Sequence, residues 1–228
     1  MSGTAGRTTA RPGADRALAL IDGALDTIVD PRRAFSRVAA RPRILPPLLF
    51  VVTSTLLMYV ALGSAFETRL LEALGRAGIE ATPRLVWLLL SLGGALGSTQ
   101  IVIVTLVAGL ITHAAARLSG GSADAHRSVA CYALATVPGG FKAITVAILA
   151  SLLGAENVPL ATGGVSSGGG ALLALFDPFS LWAAFLLGIG LATVHGLSAG
   201  RAFGISLSMF MAGWAMNAAL AAARGVLV

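Results

Sequence analysis

Acidic residues occupy only ten of 228 positions, lysine only Lys142 and cysteine only Cys131. A lone thiol excludes an intrachain disulfide framework. None of the carboxylates falls deep within the long apolar runs of the chain, which excludes paired carboxylates and a Ser/His/Asp set from those runs. There are three histidines, and the two that lie near run ends, His113 and His195, lack the third ligand that a metal site needs. Charged residues make up 11% of the chain, against about 25% in an ordinary soluble domain. The expectation is a protein without catalytic activity, cofactor or metal.

What the chain has in abundance is uncharged length. Apolar runs cover 44–66, 85–116, 128–155 (interrupted only by Lys142), 178–200 and 202–223. A bilayer core of about 30 Å requires about 20 such residues in a helix, and the runs reach that length. They are continuous where barrel strands would alternate, so helices are favoured. With 56% hydrophobic residues and a mean hydropathy of +0.86, the expected fold is all-α and polytopic. It is a bundle of five transmembrane helices, at about 44–66, 88–116, 128–154, 178–198 and 202–223, preceded by a short amphipathic cytoplasmic helical segment. The first run starts behind an arginine-rich segment, as an anchor does and a cleaved signal peptide does not.

Arginine sets the orientation. Eight precede the first run, and the loop after it balances Arg69, Arg76 and Arg84 against Glu67, Glu72 and Glu80. Arg117, Arg127 and Arg201 fall on the same side as the N-terminus, and the stretch from Glu156 to Asp177 has no basic residue. A cytoplasmic N-terminus and an external C-terminus in the cell membrane, plasma or inner, put eleven arginines inside and four outside. The net charge of +6 then reads as this bias plus attraction to anionic headgroups, the bilayer being the first partner. Nucleic acid is not expected as a partner, because no aromatic or zinc module accompanies the arginines.

Residues 1–16 read as a disordered basic tail and 17–43 as an amphipathic interfacial or cytoplasmic segment. Within it, Asp30 can cap a helix that has Pro31 in its first position. That helix either lies among headgroups or packs on the ends of the spans. The second run exceeds the bilayer and must tilt, protrude or begin with an interfacial turn near Gly93, Gly94 and Gly97. Residues 163–170 read as a flexible external linker. Pro138 and Gly139 should kink the third span. Gly196, Gly200 and Gly204 repeat every four residues, a spacing that lets helices approach closely, in a hairpin of the last two spans or on a homo-oligomer face.

Lys142 is the costly residue. Counted from Ser128, it lies about 20 Å deep, where a charge costs about 2.5 to 3.5 kcal/mol. Gln100 and Asn217 fall at similar depth, so the three could form one polar layer. The alternative is that Lys142 snorkels outward at the Pro138 kink. No acid is expected to neutralise it, since Asp177 and Glu156 are placed near the outer surface. Asp177 before Pro178 reads as a helix cap, with Trp182 as an interfacial anchor.

Three segments carry a resemblance. They are Asp30-Pro31-Arg32-Arg33-Ala34-Phe35 with Arg41-Pro42-Arg43; Gly120-Gly121-Ser122-Ala123-Asp124 running to Val137-Pro138; and Asp177-Pro178-Phe179-Ser180-Leu181-Trp182 running to Gly196-Leu197-Ser198. In this order they resemble the Yip (Ypt-interacting protein) family in its prokaryotic form, over about residues 30–220. Asp177, Pro178, Phe179 and Trp182 are the most specific part. The resemblance implies a five-span membrane domain. Eukaryotic members are linked to small GTPases and vesicle traffic, a role that the Ala/Gly/Arg-rich, lysine-poor composition does not favour here. The function expected is a non-enzymatic membrane interaction or organising protein with a membrane or cytoplasmic protein partner, or a homo-oligomer. The alternative is a small carrier or channel that uses the layer around Lys142.

Overall fold

The computed structural model describes residues 25–158 and 177–226, with the side chains of 217, 218 and 220–226 outside the description. The basic tail 1–16, the first part of the 17–43 segment, the linker 163–170 and the Asn217 side chain therefore lie outside the described residues. Everything regular among the described residues is helical.

After a helical stretch at 25–29, α1 runs Pro31–Ala40. Asp30 caps it, accepting from the Arg33 N–H at 3.1 Å, and Pro31 sits where its missing N–H is harmless. Its apolar residues Ala34, Phe35 and Val38 are buried, while Arg32, Arg33 and Arg37 are exposed and Arg37 pairs with Asp26. Of the two placements open to this helix, the structure adopts packing on the bundle. Phe35 is fully buried against the helix that carries Gly190.

The first run is not one helix. It divides into α2, Leu45–Ala61, and α3, Gly63–Arg76, bent by 65° at Leu62. The sequence gives the reason: α3 carries Glu67, Arg69, Glu72 and Arg76, and only Leu74 of it is buried. A helix bearing these charges turns aside from an apolar path, and Leu62 at the bend is buried with Val146, Ala150, Ala155 and Val158. α4 follows as an unbroken helix, Pro83–Leu118, capped by Thr82. Its 36 residues extend about 54 Å. The glycines at its start do not make a turn; Gly93 and Gly94 seat the ring of Tyr59, whose hydroxyl donates to the Leu90 carbonyl at 2.8 Å.

The third run is interrupted at Thr136. α5 spans Ala125–Ala135, and α6 spans Val137–Leu153 with Pro138 in its first turn. The proline ring removes a donor and crowds the preceding turn, which accounts for a break at this point. α7, Pro178–His195, and α8, Ala199–Val226, complete the chain.

The main core joins α1, α5, α7 and the start of α8. Close approach within it depends on glycines other than those the spacing suggested. A Cβ on Gly190 would lie 2.6 Å from Cys131 Sγ and 2.7 Å from Phe35 Cε1, and one on Gly188 would lie 2.5 Å from the Phe203 ring. Around Gly196, Gly200 and Gly204 nothing lies within 4 Å of such an atom. The hairpin role therefore falls to Gly188, one turn or more away from the four-residue repeat. Gly196 instead ends α7 in the left-handed conformation, φ 67°, which favours glycine.

Three described helical units are long and apolar enough to cross a membrane: α4, α5 with α6, and α7; α2 with α3 makes a fourth if the bent pair is one span. The expectation of five is met only to that extent among the described residues.

Candidate functional site

Two clusters of polar side chains lie at the two ends of α7. At its N-terminal end, just ahead of the span, Asp177 accepts from the Phe179 N–H at 3.3 Å, from Ser180 Oγ at 2.6 Å and from Lys142 Nζ at 2.9 Å. The Lys142 side chain is 36% exposed and that of Asp177 8%. Burial by itself would raise the Asp177 carboxyl; the hydrogen bonds from Ser180 and Lys142, the lysine charge and the Phe179 N–H together hold it below its ordinary value.

This pairing corrects the expectation that no acid reaches Lys142. The fourteen residues from Ser128 raise Lys142 about 21 Å, and α7, at 18 residues, is about 27 Å long. The four-carbon stem of the lysine covers the remainder. Depth counted separately in each helix placed the two groups in different layers because it left out the reach of the side chain.

Phe141, next to Lys142 in α6, belongs to a row of aromatic rings. Trp182 stacks on Phe141 with centroids 6.1 Å apart, and Phe141 meets Phe50 at 5.1 Å. Trp182 is half-buried and packs against the core. Phe179 is half-buried and Pro178 exposed. Asp177 and Trp182 accordingly fasten α7 to α6 through one ion pair and one stacked ring.

Of the proposed polar layer, only Lys142 is found in this cluster. Gln100 is exposed on α4. Pro138 is buried at the break and Gly139 is exposed.

At the other end of α7 a second cluster has formed that sequence reasoning missed. Ser128 Oγ lies 2.9 Å from His113 Nδ1 and 3.0 Å from His195 Nε2, and donates to the Asp124 carbonyl at 2.9 Å. With its one proton given to that carbonyl, the hydroxyl serves both imidazoles as acceptor, so each presents an N–H to it. His195 Nδ1 is then the bare nitrogen. It is buried beside Gly121 and has no partner among the described residues, as is also true of Thr112 Oγ1 nearby in the chain. Ser122 donates to the His195 carbonyl through its N–H at 3.2 Å and its hydroxyl at 3.3 Å. Asp124 faces outward and caps α5; the Arg127 N–H, donating at 2.8 Å, holds its carboxyl below the ordinary value. The only sequence signal was the placing of two histidines at the same depth; the serine between them became visible only when three helices met.

Between α5, α7 and α8 lies a cavity of about 270 Å³, bordered by Tyr132, Thr136, Ser180, Ser206, Met209 and Trp214 among others. Three of its hydroxyls are engaged: Ser180 with Asp177, Thr136 with the Ala133 carbonyl at 2.7 Å, and Ser206 with the Ala184 carbonyl. No group of three metal-ligating side chains occurs among the described residues.

Long apolar helices enclosing only a few polar groups define a polytopic α-helical membrane protein. Within that class, the model of the Yip1 domain matches residues 25–220, and the chain belongs to that family. No curated protein and no solved structure matches it.

Proposed function

We propose that this chain is a non-enzymatic organising protein of the cell membrane. It crosses five times, with α2–α3 and α8 supplying the two further spans, and holds its N-terminus in the cytoplasm and its C-terminus outside. One observation carries the reading: the single lysine is tied to an acid within the bundle, whereas arginines crowd one end in exposed positions. At that end α1 and the residues after it expose Arg32, Arg33, Arg37, Arg41 and Arg43, and the last turn of α4 and the first turn of α8 expose Arg117 and Arg201. Such a surface attracts anionic headgroups and acidic protein partners. The opposite end mixes Arg69, Arg76 and Arg84 with three glutamates, the asymmetry expected of a cytoplasmic and an external face.

A second reading, a small carrier, draws on the cavity beside the broken third span, since discontinuous helices often border solute sites. Reconstitution separates the two. Under the organising reading, vesicles holding the protein pass ions and small solutes no faster than empty ones, and Lys142→Met changes nothing. A flux that wild type supports and Lys142→Met abolishes would install the carrier in its place. Exchanging Arg32, Arg33, Arg41 and Arg43 for glutamine leaves Phe35 in the core and should remove capture of partners from the native membrane; unaltered capture would count against the arginine face.

A further inference from the structure

Gln100 occupies an unusual position. It lies midway along α4 between Arg84 and Arg117, about 24 Å from each on the helical rise. The helix outruns a bilayer core of about 30 Å, and with the apolar run 85–116 centred in that core Gln100 lies near the mid-plane, where its short side chain reaches neither interface. The neighbouring polar residues are satisfied within the helix, Ser98 by the Gly94 carbonyl and Thr99 by the Ala95 carbonyl, both at 2.9 Å. Gln100 is exposed and has no hydrogen-bond partner among the described residues. Its carboxamide brings two N–H donors and a carbonyl acceptor into hydrocarbon that offers neither.

The surrounding surface is an unpartnered apolar stripe. Leu96, Ile103, Val107 and Ile111 are all exposed and, with Gln100 second in the series, recur at intervals of three or four residues on one side of α4. Lipid tails could cover such a stripe, but they leave the carboxamide unsatisfied. A carboxamide is complementary to itself, each N–H donating to the other's carbonyl. In a two-fold contact a residue near the axis meets its own copy.

We propose that the α4 face centred on Gln100 is an interface for a second copy of this chain, the two Gln100 side chains hydrogen-bonding across a two-fold axis. The proposal concerns assembly and holds whether the protein organises partners or carries a solute.

The full-length protein in liposomes, diluted stepwise with lipid and counted by single-molecule photobleaching, tests it. Wild type should bleach in two steps at dilutions where Gln100→Leu bleaches in one, with association weakened about fivefold to thirtyfold, the range for interhelical hydrogen bonds of side-chain amides. Leucine suits a lipid-facing site, so the variant is expected to fold, and protection of the buried Cys131 thiol checks this. In a Cys131→Ala background, Val107→Cys should cross-link between copies, whereas Trp87→Cys, which is exposed off the stripe, should not. Wild type that stays monomeric at every dilution overturns the proposal. So does a dimer that Gln100→Leu leaves intact, since it must then use another face, and so does cross-linking at Trp87→Cys in preference to Val107→Cys.

Discussion

At one end of α7 a lysine and an aspartate neutralise each other, with a hydroxyl and a backbone N–H completing the carboxylate's bonds. At the other end two imidazoles share one serine hydroxyl, and His195 Nδ1 has no partner among the described residues. The first arrangement is a closed set and the second an open one. A closed set depends on its shared acceptor: losing the carboxylate strips three donors at once and strands the ammonium, whereas an open set already carries an unsatisfied atom and has less to lose.

The largest effect should come from Asp177→Ala. It removes the helix cap and leaves the Lys142 ammonium without a partner. A loss of about 2 to 3 kcal/mol is expected, less than for a fully buried pair because Lys142 is partly exposed. Thermal unfolding in detergent, followed by a fluorogenic thiol reagent at the buried Cys131, reads it directly. An unchanged midpoint would mean that the lysine is solvated and the set is not closed.

Ser128→Ala comes next, at about 1 to 2 kcal/mol, since both imidazole N–H groups lose their acceptor. If it cost more than Asp177→Ala in the same assay, the ranking of the two ends would reverse.

Lys142→Met should cost about 1 kcal/mol or less, because it exchanges a charge for an apolar chain of similar length while Ser180 and Phe179 still serve the carboxylate. Its gentleness beside Asp177→Ala is the sharpest test of the stranded-charge argument. A cost equal to that of Asp177→Ala would point to the pair itself, with no special penalty for the orphaned lysine.

The smallest effect is that of acid. The Asp177 carboxyl lies below its ordinary 3.8 in the folded chain, so its contribution is fully present above that value and fades as the pH falls through the lowered folded value. The wild-type midpoint should therefore fall in this acid range more than that of Asp177→Asn. Parallel curves for the two would remove the ion pair from the account of stability.

Much of the architecture could be read directly. Asp30 with Pro31 marked the start of α1, Pro138 marked the break near Thr136, and the apolar runs marked the long helices, all by local rules of capping, ring sterics and span length. Reading failed where an outcome depended on a second helix. The four-residue glycine repeat at Gly196, Gly200 and Gly204 satisfied a spacing rule, yet the contacts were made by Gly188 and Gly190, because which side of a helix meets its neighbour is fixed by packing. The Lys142 partner was missed because depth was counted per helix, and the bend at Leu62 because an apolar run does not reveal where its last turns leave the bundle.

Sequence alone determined that this chain lives in a membrane, where α1 begins and where the third run breaks, and which family it belongs to, since these depend on span length, local capping chemistry and short motifs. Tertiary structure decided that Lys142 is neutralised by Asp177, that Ser128 joins two histidines, and that Gln100 faces outward. Each of these turns on the azimuth and reach of side chains from different helices, and helix rotation is set by the packing of whole surfaces, which no single stretch of residues encodes.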